Sequence, residues 1–473
     1  MTGCCARRLS QLETLSKEKQ MIQTVPPQVM KHADPYRANF EYFAKEGAGT
    51  DPSWLRPIRD AAIARFTELG FPTLQDEDWR FTNVAPIASL PFHPVFQYAR
   101  NGLTPERIRQ FHFTGLEASR LVFVDGHYSA ELSQILPQNN GVRIGSLASA
   151  LADDAPGLKE HLARGAAAKE NAFTALNTAF FTDGAFIHLP PGQAVEAPVH
   201  LLFLSTGKKT GATTHPRNLV IAEKGSRLTL LESYVCTGDS AYFTNAVTEF
   251  FVGDHAVLEH CKFQDESHSA YHMAALRAQL GRDCNFISHS IAAGAQLSRN
   301  NINTVLDGEG IECVLNGLYL TKGTQLADHW MLVEHAKPHC NSHEYFNGIL
   351  DGSSKGVFHG RILVQPLAQK TDAKQTNKNL LLSDHATVDA KPQLEIYADD
   401  VKCTHGATVG QMNEESIFYL RARGLGLETA RRMLIHAFAG EIIDRIRFAP
   451  VREELDRVIW ERLEQNELVA VIR

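Results

Sequence analysis

The chain has 473 residues, of which 44% are hydrophobic and 21% are charged, and acidic residues outnumber basic residues by 54 to 47. These values are typical of a globular protein and exclude an intrinsically disordered chain. The net charge of −7 and the lack of a long Lys/Arg block argue against nucleic-acid binding. Because no run of about 18 apolar residues occurs, we expect no transmembrane helix and no membrane partner.

The eight cysteines include no Cys-x-x-Cys pair, which argues against a zinc ribbon or a thioredoxin-type redox site. The first residues lack the apolar segment of a secretory signal peptide, so we expect free thiols and a cytoplasmic location. The cysteines are Cys4, Cys5, Cys236, Cys261, Cys284, Cys313, Cys340 and Cys403.

Residues 1–117 are predicted to form an N-terminal helical domain. Apolar residues recur at helical spacing over residues 54–69, and a more polar, heptad-like pattern covers residues 9–21. A different pattern begins near residue 118, where residues 121–124 are predicted to form a strand before the turn Asp125-Gly126.

Residues 118–412 are predicted to form the core of the protein, with a helical insert near 146–178. The insert is indicated by the spacing of Leu147, Leu151, Leu158 and Leu162. Short runs rich in β-branched and aromatic residues predict strands over most of the core beyond the insert. The clearest of them lie at 199–204, 219–222, 228–235, 247–252 and 256–263.

Glycines divide this region into regular intervals. Gly225, Gly253, Gly281 and Gly308 follow one another after 28, 28 and 27 residues. A period of this size indicates stacked repeats, in which each strand lies beside its equivalent in the next coil. We therefore predict a parallel β-helix, and the alternative is an antiparallel sandwich or barrel, for which few short hairpin turns are present.

Residues 413–473 are predicted to form a C-terminal helical domain. An apolar stripe at helical spacing covers residues 429–447, and a second amphipathic helix is predicted at 451–463. These helices are suited either to capping the open strand edges at an end of the β-helix or to docking a partner protein.

The chain lacks the motifs of several enzyme classes. We find no P-loop, no Gly-x-Ser-x-Gly nucleophile elbow and no His-Glu-x-x-His zinc helix. We therefore expect no catalytic residues for nucleotide-driven or hydrolytic chemistry, and no enzyme activity in this chain.

Cys403 and His405 are the strongest candidate metal ligands, because residues i and i+2 of a strand lie on the same face. A thiolate beside an imidazole suits iron or zinc. If the alternation of Leu394, Ile396 and Ala398 continues, Cys403 and His405 face outwards, towards solvent or a partner. Two ligands cannot complete a four-coordinate site, so the remaining ligands would come from elsewhere.

A second candidate cluster consists of His335, His339, Cys340 and His343, although Pro338 interrupts its strand pattern. Surface and turn positions are the simpler interpretation for these four residues. Other histidines are interpreted as hydrogen-bonded strand residues, and four cysteines as small, inward-facing packing residues. These are His255, His260, His268, His272 and His289, with Cys236, Cys261, Cys284 and Cys313.

The segment PQLEIYADDVKCTHGATVG at 392–410 resembles the signature of the SufB/SufD family, whose members are subunits of the SUF iron–sulfur cluster assembly system. The continuation Thr404-His405-Gly406-Ala407 after Cys403 favours the SufD type, with the sister SufB type as the alternative. Further matching segments are FYLRARG at 418–424, NTAFFTDG at 177–184, KTD at 370–372, NKN at 377–379 and DEDWR at 76–80.

The resemblance implies a right-handed parallel β-helix flanked by N- and C-terminal helical domains. It also implies a scaffold that pairs with SufB through the β-helix and docks the ATPase SufC through its C-terminal helices. A nascent iron–sulfur cluster would be shared transiently with SufB, with His405 and, less directly, Cys403 as its ligands. The isolated chain could also form a homodimer.

Two hypotheses from other classes compete with a scaffold. The first is a β-helix enzyme that acts on polysaccharides, but we find no dense array of Asp and Glu on one face of the repeats. The second is a self-contained, histidine-rich metalloprotein that uses His335, His339 and His343.

Overall fold

The structure is a computed structural model, and it describes residues 34–46, 51–164 and 171–464. The heptad-like pattern predicted at residues 9–21 lies outside the described residues.

The core consists of strands that alternate along the chain between two sheets. In chain order the strands are β1 (His93–Pro94), β2 (Ser119–Val124), β3 (His127–Tyr128), β4 (Arg143–Ser146), β5 (Ala185–Leu189), β6 (Val199–Ser205), β7 (Ala212–Thr214), β8 (Arg217–Ala222), β9 (Arg227–Cys236), β10 (Phe243–Val252), β11 (Val257–Asp265), β12 (Tyr271–Leu280), β13 (Asn285–Ala292), β14 (Leu297–Leu306), β15 (Glu312–Thr321), β16 (Leu326–His335), β17 (Asn341–Leu350), β18 (Lys355–Val364), β19 (Asp372–Leu381), β20 (Thr387–Ile396) and β21 (Lys402–Gly410).

Equivalent strands of successive coils pair in parallel, as the glycine spacing predicts. Sheet one runs in the order β20-β18-β16-β14-β12-β10-β8-β5-β4, and sheet two in the order β21-β19-β17-β15-β13-β11-β9-β6-β2-β3. Phe243 is in register with Tyr271, and Tyr271 with Leu297, so one coil separates partners in the ladder. The predicted parallel β-helix, flanked by helices at both ends of the sequence, is therefore confirmed.

Apolar side chains from both sheets fill the interior of the coils. Leu258, Phe286 and Cys313 are in register on three consecutive strands of sheet two, and each is at most 1% exposed. Because a fully buried Leu or Phe contributes about 1.5–3 kcal/mol, these stacked columns stabilise the coil-on-coil arrangement.

Helices precede, interrupt and follow the core. The helices are α1 (Asp34–Glu46), α2 (Leu55–Leu69), α3 (Ala85–Ser89), α4 (Pro105–Ile108), α5 (Leu147–Ala152), α6 (Leu158–His161), α7 (Ala172–Phe180), α8 (Glu414–Ala422), α9 (Leu427–Ile443) and α10 (Ala449–Glu464), with single 3₁₀ turns at Glu77–Trp79 and Arg109–Phe111. Of the helices described, none is long and apolar enough to span a bilayer.

The helices cover the outer faces of the sheets rather than the ends of the coil. Ile435 and Ile442 of α9 pack in one cluster with Leu318 and Ile349 of sheet two. On the other side, Phe66 of α2 lies in a cluster with sheet one. The expected end caps are therefore wrong for these helices, because apolar side chains on the outer sheet faces provide the surface that the helices bury.

The two ends of the coil differ. At the N-terminal end, β3 and β4 close the two sheets by antiparallel pairing with β2 and β5. At the C-terminal end, β20 pairs only with β18 and β21 only with β19 within the part of the chain that the structure describes. The last coil therefore presents two open strand edges.

Candidate functional site

The candidate ligands Cys403 and His405 lie on β21, the last strand of sheet two. A corner connects β20 to β21, and hydrogen bonds to the coil below hold it in place. Lys370 donates its backbone N–H to the carbonyl of Asp400 over 2.7 Å, and Lys402 donates to Thr371 over 2.8 Å. The start of β21 is thereby placed in register with β19.

Cys403 lies on the inner face of the coil. It is in register with Ala373, which follows Ser342 and Cys313 in the same column, and these three residues are at most 1% exposed. The Cys403 side chain itself packs against the apolar cluster around Ile362. Burial raises the pKa of the Cys403 thiol, which favours its protonated form.

His405 lies on the same inner face. It is in register with Gln375 and, one coil further, with Glu344, both of which are at most 1% exposed. His405 is nevertheless exposed, since no further coil of the described chain covers it. The strand spacing thus places both candidates on one face.

The outward orientation predicted for Cys403 and His405 is wrong. The prediction carried the alternation of Leu394 and Ala398 across Asp399-Asp400 as if the strand continued. Instead β20 ends at Ile396 and β21 begins at Lys402 in the other sheet, so the corner resets which residues face inwards. The pair reaches solvent through the open end of the coil, not through its side.

Within the described ranges, no third metal-binding side chain joins Cys403 and His405. Among the described residues, no group of three or more His, Cys, Asp or Glu side chains is arranged to hold a metal ion. Two donors leave a four-coordinate site incomplete. The geometry therefore suits a shared site, in which another molecule brings further ligands to the open end.

The second candidate cluster is dispersed. His335 is buried, and its Nε2 lies 2.8 Å from the hydroxyl of Ser342. His339 occupies a turn with a φ of 61°, whereas the Cys340 thiol is buried. His343 keeps about a third of its side chain exposed. The prediction of surface and turn positions therefore holds for His339 and His343, but it is wrong for His335 and Cys340, which are buried.

A polar network inside the coil was missed by sequence analysis. His260 Nε2 lies 3.1 Å from Glu232 Oε2, and His272 Nδ1 lies 2.6 Å from Glu266 Oε2. Lys262 Nζ lies 2.8 Å from His272 Nε2 and 2.7 Å from Asn300 Oδ1. His260 and His272 are hydrogen-bonded strand residues, as expected.

Charges inside this network are balanced. Burial lowers the pKa of Lys262 to about 8, although the negative charges of Glu232 and Glu266 act to raise it. Burial alone would raise the pKa of Glu232, but hydrogen bonding and charge from His260 and Lys262 lower it to about 2. The network could have been found in the sequence because Glu232 and Lys262 carry opposite charges and lie one coil length apart, which places them in register on β9 and β11.

The cysteines expected inside the coil divide between two environments. Cys284 and Cys313 belong to the interior cluster, as predicted. Cys261 instead lies on the outer face of sheet two, in the cluster that α9 and α10 cover. Its expected inward orientation is wrong because the outer face is also buried, which makes strand alternation ambiguous. Cys236 ends β9 and is partly exposed.

Comparison with known proteins matches two family models along the chain. Residues 203–438 match the SUF system FeS cluster assembly, SufBD core domain, and residues 30–201 match the SufBD protein N-terminal region. The chain is 32% identical to an iron–sulfur cluster assembly SufBD family protein of Synechocystis, over 87% of this chain and 92% of that protein. It is also 32% identical to iron–sulfur cluster assembly protein SufD of Escherichia coli, over 88% of this chain and 95% of that protein. SufD of Bacillus subtilis is 27% identical, over 86% of this chain and 94% of that protein.

Proposed function

Because the chain belongs to the SufBD family of iron–sulfur cluster assembly proteins, we propose that it is a non-enzymatic scaffold subunit of the SufD type. In this proposal it pairs with SufB, docks the ATPase SufC and acts in the cytoplasm. The iron–sulfur cluster is its cargo, held transiently and released to other proteins.

One observation carries the proposal. Cys403 and His405 lie on the inner face of the last coil, which no further strand of the described residues covers. A thiol and an imidazole at that position can contribute to a site that is completed across an interface. A histidine ligand makes a cluster site more labile than cysteines alone, which suits transient holding.

The free strand edge supports pairing with SufB. β21 exposes nearly all of its residues and carries only one charged side chain, Lys402. Open, uncharged strand edges pair readily with strands of another chain. The β20 edge contains Pro392, which cannot donate a backbone hydrogen bond, so β21 is the better edge for a partner. The same edge would join two copies of the isolated chain in a homodimer.

Exposed apolar residues on the C-terminal helices support docking of SufC. Ile435 and Ile442 of α9 are buried against sheet two, whereas Phe418 and Tyr419 of α8 are 74% and 55% exposed. Met433 of α9 is 40% exposed. Large apolar side chains that remain exposed in this way mark a contact surface for a protein partner.

Co-expression with SufB and SufC homologues tests the proposal. The three chains should co-purify as a stable complex, and His405→Ala should reduce cluster accumulation in that complex while leaving its assembly intact. His385→Ala is a matched control, because His385 is also exposed and precedes the last coil. Cys403→Ala should have the smaller effect, since the Cys403 thiol is partly buried.

Other outcomes would contradict parts of the proposal. A chain that never co-purifies with SufB and SufC would contradict the scaffold role. Loss of cluster in His339→Ala, with His405→Ala unaffected, would favour the self-contained metalloprotein instead. A chain that replaces SufB in the complex, rather than joining it, would identify the sister SufB type.

A further inference from the structure

Three polar residues form a column beneath the open end of the coil. Glu344 on β17, Gln375 on β19 and His405 on β21 are in register with one another. Glu344 and Gln375 are 0% and 1% exposed, so only the last member of the column reaches solvent. Polar groups at the inner face of a coil need hydrogen-bond partners from the strands above and below.

The amide of Gln375 is held from two sides. Its Nε2 donates to Glu344 Oε2 over 2.6 Å. Across the coil lies Gly360, and a Cβ atom at that position would come within 2.1 Å of the same nitrogen. The amide therefore occupies space that only glycine leaves free, and Glu344 determines which end of the amide faces down the column.

The other end of the amide lacks a partner. Gln375 Oε1 is buried and accepts no hydrogen bond from the described residues. The imidazole of His405, on the next strand, has no hydrogen-bond or ion-pair partner in the described part of the chain either. Neighbouring strands lie about 4.8 Å apart, so the in-register side chains of His405 and Gln375 are adjacent in the column.

We propose that Gln375, oriented by Glu344, is a positioning residue for His405: its Oε1 accepts one ring N–H and leaves the other, unprotonated nitrogen facing the open end. Metal-ligating histidines commonly donate their second ring nitrogen to such an acceptor, which selects the tautomer and the ring orientation. The ligand role of His405 rests on the proposed function. The contact between Gln375 and His405 does not depend on it.

The test measures the protonation of His405 in the full-length chain without metal. The rate of carbethoxylation of the peptide that contains His405 is followed against pH by mass spectrometry, with His385 as the internal reference. In the double variant Gln375→Glu with Glu344→Gln, the carboxylate and the amide exchange places. We expect carbethoxylation of His405 to require a higher pH than in the wild type, because a carboxyl group that accepts from the ring N–H favours the charged imidazole.

Gln375→Leu removes the acceptor, and we expect slower carbethoxylation of His405 at alkaline pH, because an acceptor on one ring N–H makes the other nitrogen more nucleophilic. The pH profile of His385 should stay unchanged. An identical pH profile of His405 in the wild type, in Gln375→Leu and in the double variant would overturn the proposal. In the complex with SufB and SufC, Gln375→Leu should lower cluster accumulation. The double variant, which keeps an acceptor below His405, should accumulate more cluster than Gln375→Leu. If His405→Ala leaves accumulation intact, the ligand role fails while the pH profiles still decide whether Gln375 contacts His405.

Discussion

Arg217 on β8 and Glu249 on β10 form an ion pair with both side chains fully buried, and Arg217 Nη2 lies 2.5 Å from Glu249 Oε2. Arg217 also donates to Asn177 Oδ1 and Thr178 Oγ1 of α7, each over 3.1 Å. Arg217 therefore attaches the end of the helical insert to sheet one, and Glu249 on the neighbouring strand of that sheet neutralises its charge.

Glu249→Gln should lower the free energy of unfolding by about 3–5 kcal/mol, because it leaves the charge of Arg217 buried without its partner. Chemical denaturation of the purified chain measures the change. Glu461→Gln is the matched control, since Glu461 pairs with Arg457 at a position where about half of each side chain is exposed. That control should change stability by less than about 1 kcal/mol. Equal effects of the two substitutions would contradict the structural role of the buried pair.

Glycine and aromatic residues alternate between β15 and β17. Gly317 is opposite Phe346, and Tyr319 is opposite Gly348. A Cβ atom at Gly317 would lie 2.1 Å from the Phe346 ring. Gly317→Ala should therefore destabilise the chain by about 1–3 kcal/mol through overpacking, measured by denaturant unfolding. Gly145→Ala, where a Cβ atom meets nothing within 4 Å, is the control, and a comparable loss there would contradict this prediction.

Glu344 should make stability fall as pH rises. Burial raises its pKa to about 8 from an ordinary value near 4.5, so between these values the folded chain binds a proton that the unfolded chain has lost. The free energy of unfolding then decreases with rising pH, by at most about 1.4 kcal/mol per pH unit from this group. Unfolding of Glu344→Gln from pH 5 to 8 should lack this contribution, and parallel pH profiles of the variant and the wild type would refute it.

Buried histidines should have the opposite effect below neutral pH. Burial lowers the pKa values of His215 and His329 to about 3 and that of His335 to about 4. Between about pH 6.5 and 4 the unfolded chain binds protons at these rings and the folded chain does not, so stability is lost as pH falls. His329→Gln should make this acid dependence shallower by at most about 1.4 kcal/mol per pH unit. The exposed His385→Gln serves as the control, and an equal change in both variants would argue against burial as the cause.

The free edge of β21 should be blocked by a proline that leaves its own sheet intact. Lys402 donates its backbone N–H towards β19, so alternate residues, including Ala407, direct their N–H groups to the open edge. Ala407→Pro should abolish co-purification with SufB and leave the thermal stability of the isolated chain within a few degrees of the wild type. Ala407→Ser is the control, and retained pairing in the proline variant would exclude this edge as the interface.

Local sequence features predicted most of the architecture. Gly253 explains why: a Cβ atom there would lie 2.8 Å from the backbone nitrogen of Lys224 in the coil below. Gly281 and Gly308 approach the preceding corner as closely, so glycines recur at the coil length along this part of the chain. Strand bounds followed from β-branched and aromatic runs, and the helix predicted at 54–69 is found at Leu55–Leu69.

The orientation of side chains was predicted less well, and Cys261 and Cys403 show the reason. Strand alternation assigns residues to two faces, but it identifies the inner face only if one face is polar. In sheet two the outer face is buried beneath α9 and α10, and a corner separates β21 from the preceding strand. Neither fact is visible in the residues of a single strand.

The sequence alone therefore determined the repeat, the parallel coil and the pair Cys403 and His405, because each depends on spacing within a short stretch. Only the tertiary structure decided that this pair faces the interior at an open end, with His405 above Gln375 and Glu344. It also decided that Lys262 is buried near the carboxylates of Glu232 and Glu266. These relationships join residues one coil or more apart, and their register is set by how the corners stack.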